Sequence, residues 1–119
     1  MSELLFYLIV GHAIADYPLQ SDWMAKHKNR HVKSEPPPGQ KQQAVWPCVL
    51  TAHALVHGGF VAVITGIWWL GLLEAIVHWV IDFFKCEGKY GIYTDQALHI
   101  VCKIVWLVIA LKLGFTPQY

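Results

Sequence analysis

Four pairs drawn only from His and Asp stand four positions apart: His12 with Asp16, His53 with His57, His78 with Asp82, and Asp95 with His99. On an α-helix that spacing stacks both side chains of a pair on one face. Imidazole and carboxylate are the ligands of zinc, iron and manganese centres. Eight such groups exceed what one tetrahedral zinc needs. They suit one or two divalent transition metals, with zinc the first expectation and iron or manganese the alternatives. Helical bundles build dinuclear sites from inward-facing side chains of this kind, usually with more glutamate. The plain alternative for any single pair is an interhelical hydrogen bond or a satisfied core histidine.

The elements that carry these pairs are strongly apolar. Hydrophobic residues make up 55% of the 119 positions, charged residues 14%, and the mean hydropathy is +0.40. Soluble domains average about 25% charged residues, so the composition points to a membrane. From Gln42 to Leu73 there is no Lys, Arg, Asp or Glu, a run longer than the roughly 20 residues one span needs. The expected fold is all-α: an integral-membrane four-helix bundle forming one domain over 1–119. Its spans are expected near 3–18, 46–66, 69–86 and 92–113.

Pro18 should kink or end the first span. Residues 20–30, QSDWMAKHKNR, suit a short amphipathic interfacial helix, with Trp23 at headgroup level and the lysines turned toward phosphates. The remainder of the polar loop 19–45 carries PPPG and reads as exposed. Gly66 is the expected break, with a tight turn near Trp68–Gly71. EGKYG at 87–91 makes the next turn, and Thr116–Pro117 ends the last span. The first apolar run lacks a basic leader and is expected to be retained. Cys48, Cys86 and Cys102 have no metal or redox spacing and read as small hydrophobes. A soluble bundle with an unusually apolar core is the competing architecture.

A net charge of +1 makes no case for nucleic acid, and the expected surroundings are the lipid bilayer. Five basic residues, Lys26, Lys28, Arg30, Lys33 and Lys41, share one loop, whereas the 66–71 turn has none. The positive-inside tendency then puts the basic loops in the cytoplasm and both termini on the opposite side of an inner (cytoplasmic) membrane. Counted inward from the basic side at 1.5 Å per residue, all four pairs fall between about two and eleven residues deep, in one leaflet. Hydrophobic packing alone demands no such coincidence.

Further polar residues form a second layer. Glu74 precedes His78 by one turn and Lys103 follows His99 by one turn, at matching depth. They are expected to pair, since a lone charge there costs several kcal/mol. Glu74 is also a candidate ligand or general base. Lys85 shares the His78 and Asp82 face and either snorkels to phosphates or binds an anionic substrate. Gln20 and Gln96 are candidates to orient ligands, and His27 and His31 read as solvated.

The ordered pattern His12-x3-Asp16-x3-Gln20-x2-Trp23-Met24-Ala25, His53-x3-His57, His78-x3-Asp82-x2-Lys85, Asp95-Gln96-x2-His99 resembles the phage and bacterial membrane proteins of the family named domain of unknown function 3307. It is more distantly similar to small inner-membrane proteins described as metal-dependent hydrolases. The resemblance implies a membrane protein with a metal site.

The leading functional expectation is a membrane-embedded metal-dependent hydrolase. Its His/Asp site would lie near the cytoplasmic face and act on a lipid or lipid-linked phosphate or ester. Metals there would polarise a phosphoryl or acyl oxygen and lower the pKa of a water, with Glu74 and Lys85 as the catalytic candidates. Two alternatives stand beside it. One is a conduit for metal ions or protons. The other is a metal-stabilised, non-catalytic protein that binds a host membrane protein or a second copy of itself.

Overall fold

The computed structural model describes residues 1–115. These form five helices and no strand: α1 (Ser2–Asp16), α2 (Asp22–His27), α3 (Trp46–Thr65), α4 (Trp68–Cys86) and α5 (Ile92–Lys112). The expected end of the last span at Thr116–Pro117 lies outside the described residues.

α1, α3, α4 and α5 make a bundle, with α2 packed on α3. α3 carries proline in its first turn and ends on Gly66, whose φ of 67° lies in the left-handed region that favours glycine. Helix α4 begins two residues later. The expected turn at Trp68–Gly71 is therefore helical, and the reversal is confined to Gly66 and Ile67. Gly71 serves packing instead. A Cβ added there would lie 2.4 Å from the Gly58 carbonyl oxygen, and one added at Gly58 would lie 2.4 Å from that of Gly71. Two backbones can approach this closely only where neither residue has a side chain. This contact locks α3 to α4 just beyond His57.

The polar 87–91 turn is tied back by the Tyr90 hydroxyl, which donates to the Ile81 carbonyl. α2 is capped by Ser21, whose Oγ accepts from the Met24 N–H at 3.1 Å.

The bundle is polar inside at one end and apolar inside at the other. Leu4, Leu8, Val61, Leu70, Trp106, Leu107 and Ala110 form a buried cluster at the end where α1 starts and α3 finishes. The opposite end holds the histidines and aspartates. The outward faces of the bundle helices are largely apolar: Phe6, Val63, Leu72, Ile76, Ile104 and Val108 are all exposed. Among the described residues, α3 and α5 are long and apolar enough to cross a membrane. α1 has 15 residues, about 22 Å, and α4 spends its length on Glu74, His78, Asp82 and Lys85. Cys48 lies exposed rather than packed, while Cys86 and Cys102 are half-buried.

Candidate metal centre

Each helix contributes its pair because apolar residues occupy its outer positions and leave the inward stripe to the polar ones. The structure brings all eight residues into one cluster. All are buried except Asp16, which is half-buried. Asp16 from α1 meets α3 through Oδ1, 3.0 Å from His57 Nε2 and 3.3 Å from His53 Nε2. Its Oδ2 lies 3.3 Å from His12 Nε2. Asp82 from α4 has Oδ1 at 3.2 Å from His99 Nε2 and Oδ2 at 3.4 Å from His53 Nε2. Asp95 Oδ1 lies 3.4 Å from His99 Nε2. The His78 ring stacks between His57 at 3.6 Å and His99 at 4.2 Å.

Three donor groups emerge, each with its candidate ligand atoms within 4.8 Å of one another: Asp16 with His53, His57 and His78; His12 with His78 and His99; and Asp82 with Asp95 and His99. The first and third share no residue. Buried polar atoms normally find partners, yet His12 Nδ1, His53 Nε2, His57 Nδ1, both His78 nitrogens, Asp95 Oδ1 and His99 Nδ1 make no hydrogen bond. Each unsatisfied buried group costs about 1–3 kcal/mol. A borderline cation that takes imidazole nitrogen and carboxylate oxygen together answers that donor set, so the residues fit a metal.

Gln96 braces the cluster. Its Nε2 donates to Asp16 Oδ2 at 2.8 Å and to Asp95 Oδ2 at 3.2 Å, and its Oε1 lies 3.1 Å from His12 Nε2. Gln20 donates to the Asp16 backbone carbonyl at 3.0 Å and keeps its own Oε1 buried without a partner. Glu74 and Lys103 pair directly, and the Trp106 indole N–H donates to the other Glu74 oxygen. Glu74 Oε1 also lies 3.5 Å from His78 Nδ1, on the side of that ring away from Asp82. Lys85 is less buried, with Nζ 3.5 Å from Asp95 Oδ2.

One participant was not anticipated. Lys28 was expected to face phosphates at the surface, but it is buried and its Nζ reaches Asp82 Oδ2 at 2.5 Å. The next three residues fasten the chain there. Asn29 donates to the Cys86 carbonyl at 3.3 Å. Arg30 grips Glu87 with two hydrogen bonds of 2.5 and 2.9 Å and lies over the Phe83 ring at 5.3 Å. His31 Nε2 lies 3.2 Å from Glu87. The Arg30 guanidinium is the main reason the Glu87 carboxyl is held below its ordinary value, with His31 adding to it. Residues 28–31 therefore form a strap across the mouth of the cluster. His27 stacks on Trp23 at 4.4 Å and is not simply solvated.

Fold and site define an all-helical protein that surrounds a buried His/Asp cluster with an apolar exterior. The chain belongs to the family described as "Protein of unknown function (DUF3307)", whose model matches residues 4–118. No curated protein and no solved structure matches it.

Proposed function

We propose that the protein is a membrane-embedded metal-dependent hydrolase acting on a lipid or lipid-linked phosphate or ester. The observation that carries this reading is the convergence of eight His and Asp side chains from four helices on one buried cluster, seven of whose nitrogen and oxygen atoms make no hydrogen bond. Metals held there supply Lewis acidity and a water of lowered pKa. One ion would take Asp16, His53 and His57, the other Asp82, Asp95 and His99, with His78 and His12 between them. Glu74 Oε1, 3.5 Å from His78 Nδ1, would orient that ring from its Nδ1 side and leave Nε2 for the cluster. Glu74 is thus a positioning residue rather than a base touching substrate. Lys85 stands at the mouth, where an anionic group would arrive.

The four-span membrane architecture belongs to the same reading. It is supported by the inverted distribution of polarity: large apolar side chains outside, and charged and imidazole groups inside. The cytoplasmic placement of the basic loops rests on loop charge. Reporter fusions at both termini should be active only on the non-cytoplasmic side, and the reverse would overturn that orientation. A conduit would need polar groups along the whole bundle. Beyond Lys103 the interior is the Leu4, Leu8, Val61, Leu70, Leu107 cluster instead, which favours hydrolysis over transport.

The test is a panel of lipid phosphates and lipid esters presented in mixed micelles to metal-loaded protein. Turnover of at least one, abolished by chelation and by Asp82→Asn, supports the reading. Metal-loaded, folded protein inert toward the whole panel would overturn it.

A further inference from the structure

We infer that the mouth of the cluster is a phosphoryl-binding site, built by Lys28 and Lys85 for a dianionic phosphomonoester. The inference rests on the metallohydrolase reading and narrows its substrate class. A small polar cavity of about 50 Å³ opens between the strap and the cluster, lined among others by Gln20, Lys28, Asp82, Lys85, Asp95 and Gln96. Lys28 is 5% exposed, so its ammonium is held inside at considerable desolvation cost. Its partner there is Asp82 Oδ2 at 2.5 Å, and Lys85 Nζ lies 3.5 Å from Asp95 Oδ2, so each ammonium would be free to turn to a phosphoryl group once its carboxylate is taken by metal. Lys85 enters the same cavity from α4. Gln20 Oε1, buried there and unpartnered, can accept an O–H from a hydroxyl or a water.

Charge favours an anion, and a dianion once two ions are bound. Asp16, Asp82 and Asp95 against Lys28 and Lys85 leave one net negative charge. Two divalent ions would turn this to three positive charges, and one ion to a single positive charge. A dianionic phosphoryl group returns either state to within one charge of neutrality. A neutral ester would leave the doubly loaded site three charges from it, in surroundings where uncompensated charge is expensive. The lysines then bind the phosphoryl oxygens as point charges, and the carboxylates stay with the metal.

The experiment measures metal content and inorganic phosphate binding, by calorimetry, on the full chain purified in detergent. Metal-loaded wild-type protein should bind phosphate. Lys28→Met and Lys85→Met should each weaken binding tenfold or more at unchanged metal content, with Lys28→Arg recovering part of the loss. Lys85 is the safeguard should Lys28→Met unfold the strap, since its side chain is 30% exposed. Competition separates the sources of the group. Displacement of phosphate by dioleoyl phosphatidate but not by glycerol 3-phosphate supports a lipid phosphomonoester, and the opposite pattern supports a soluble one. Displacement by neutral diacylglycerol overturns the assignment. Metal-loaded protein that binds no phosphate, or lysine variants that bind it like wild type, overturns this inference and leaves the metal reading standing. Wild-type protein that takes up no metal overturns both.

Discussion

Glu74 and Lys103 offer the sharpest test of how the interior is organised. Both are 1% exposed, and they contact each other directly. Glu74 has a second donor in Trp106 and a third neighbour in His78, whereas Glu74 is the one ion-pair partner of Lys103 among the described residues. Removing one member of a buried pair costs about 3–5 kcal/mol, and removing both can be nearly neutral. For a chain of this size that corresponds to a fall of roughly 12–20 °C in melting temperature at about 4 °C per kcal/mol. Glu74→Gln leaves Lys103 without a counter-charge and should sit at the upper end. Lys103→Met leaves Glu74 its Trp106 donor and should sit at the lower end. The double variant should melt closer to wild type than either single one. If Glu74 also fixes His78, Glu74→Gln lowers metal content and Lys103→Met does not restore it. The assay is a double-mutant cycle read by melting temperature and metal content. Strictly additive losses with unchanged metal would refute the reasoning.

Two further outcomes follow from the geometry. Gly58→Ala should destabilise by about 1–3 kcal/mol, because its Cβ meets the Gly71 carbonyl. Gly59→Ala, with open space around it, should be neutral or slightly stabilising; equal effects in thermal melts would contradict the close contact. Strap docking depends on pH through Glu87. Its carboxyl is held below the ordinary value of about 4.5, so this stabilisation is complete above that value and is lost as pH falls through the lowered one. Hydrogen exchange at 28–31 should therefore rise in acid relative to Glu87→Gln measured at the same pH, and a constant ratio would contradict the latch.

The His and Asp cluster was legible because two constraints act together. The i,i+4 spacing fixes a common face, and the cost of exposing these groups to an apolar exterior turns that face inward. The Glu74–Lys103 pair followed from depth alone. Lys28 was not legible: it follows a polar helix rich in lysines that ordinarily stay solvated. Its burial depends on Arg30 and His31 finding Glu87, more than fifty residues away. No local pattern announces such a contact. The break at Gly66 is legible from its glycine, whereas the turn expected near Trp68–Gly71 is the first turn of α4. Gly71 is there to let α3 approach α4. The span count is less legible than the fold, because the residues that make the site also lower the hydropathy of α4.

The central claim is that the cluster holds metal, and the most direct measurement is elemental analysis of full-length protein purified in mild detergent without chelators. Wild-type protein is expected to carry about one to two transition-metal ions per chain, as its two non-overlapping donor groups allow. His78→Ala and Asp82→Ala should lose metal and melt at lower temperature, because the remaining ligands become unpaired buried polar groups. Folded wild-type protein with no transition metal, even after incubation with zinc, iron or manganese, would contradict the account.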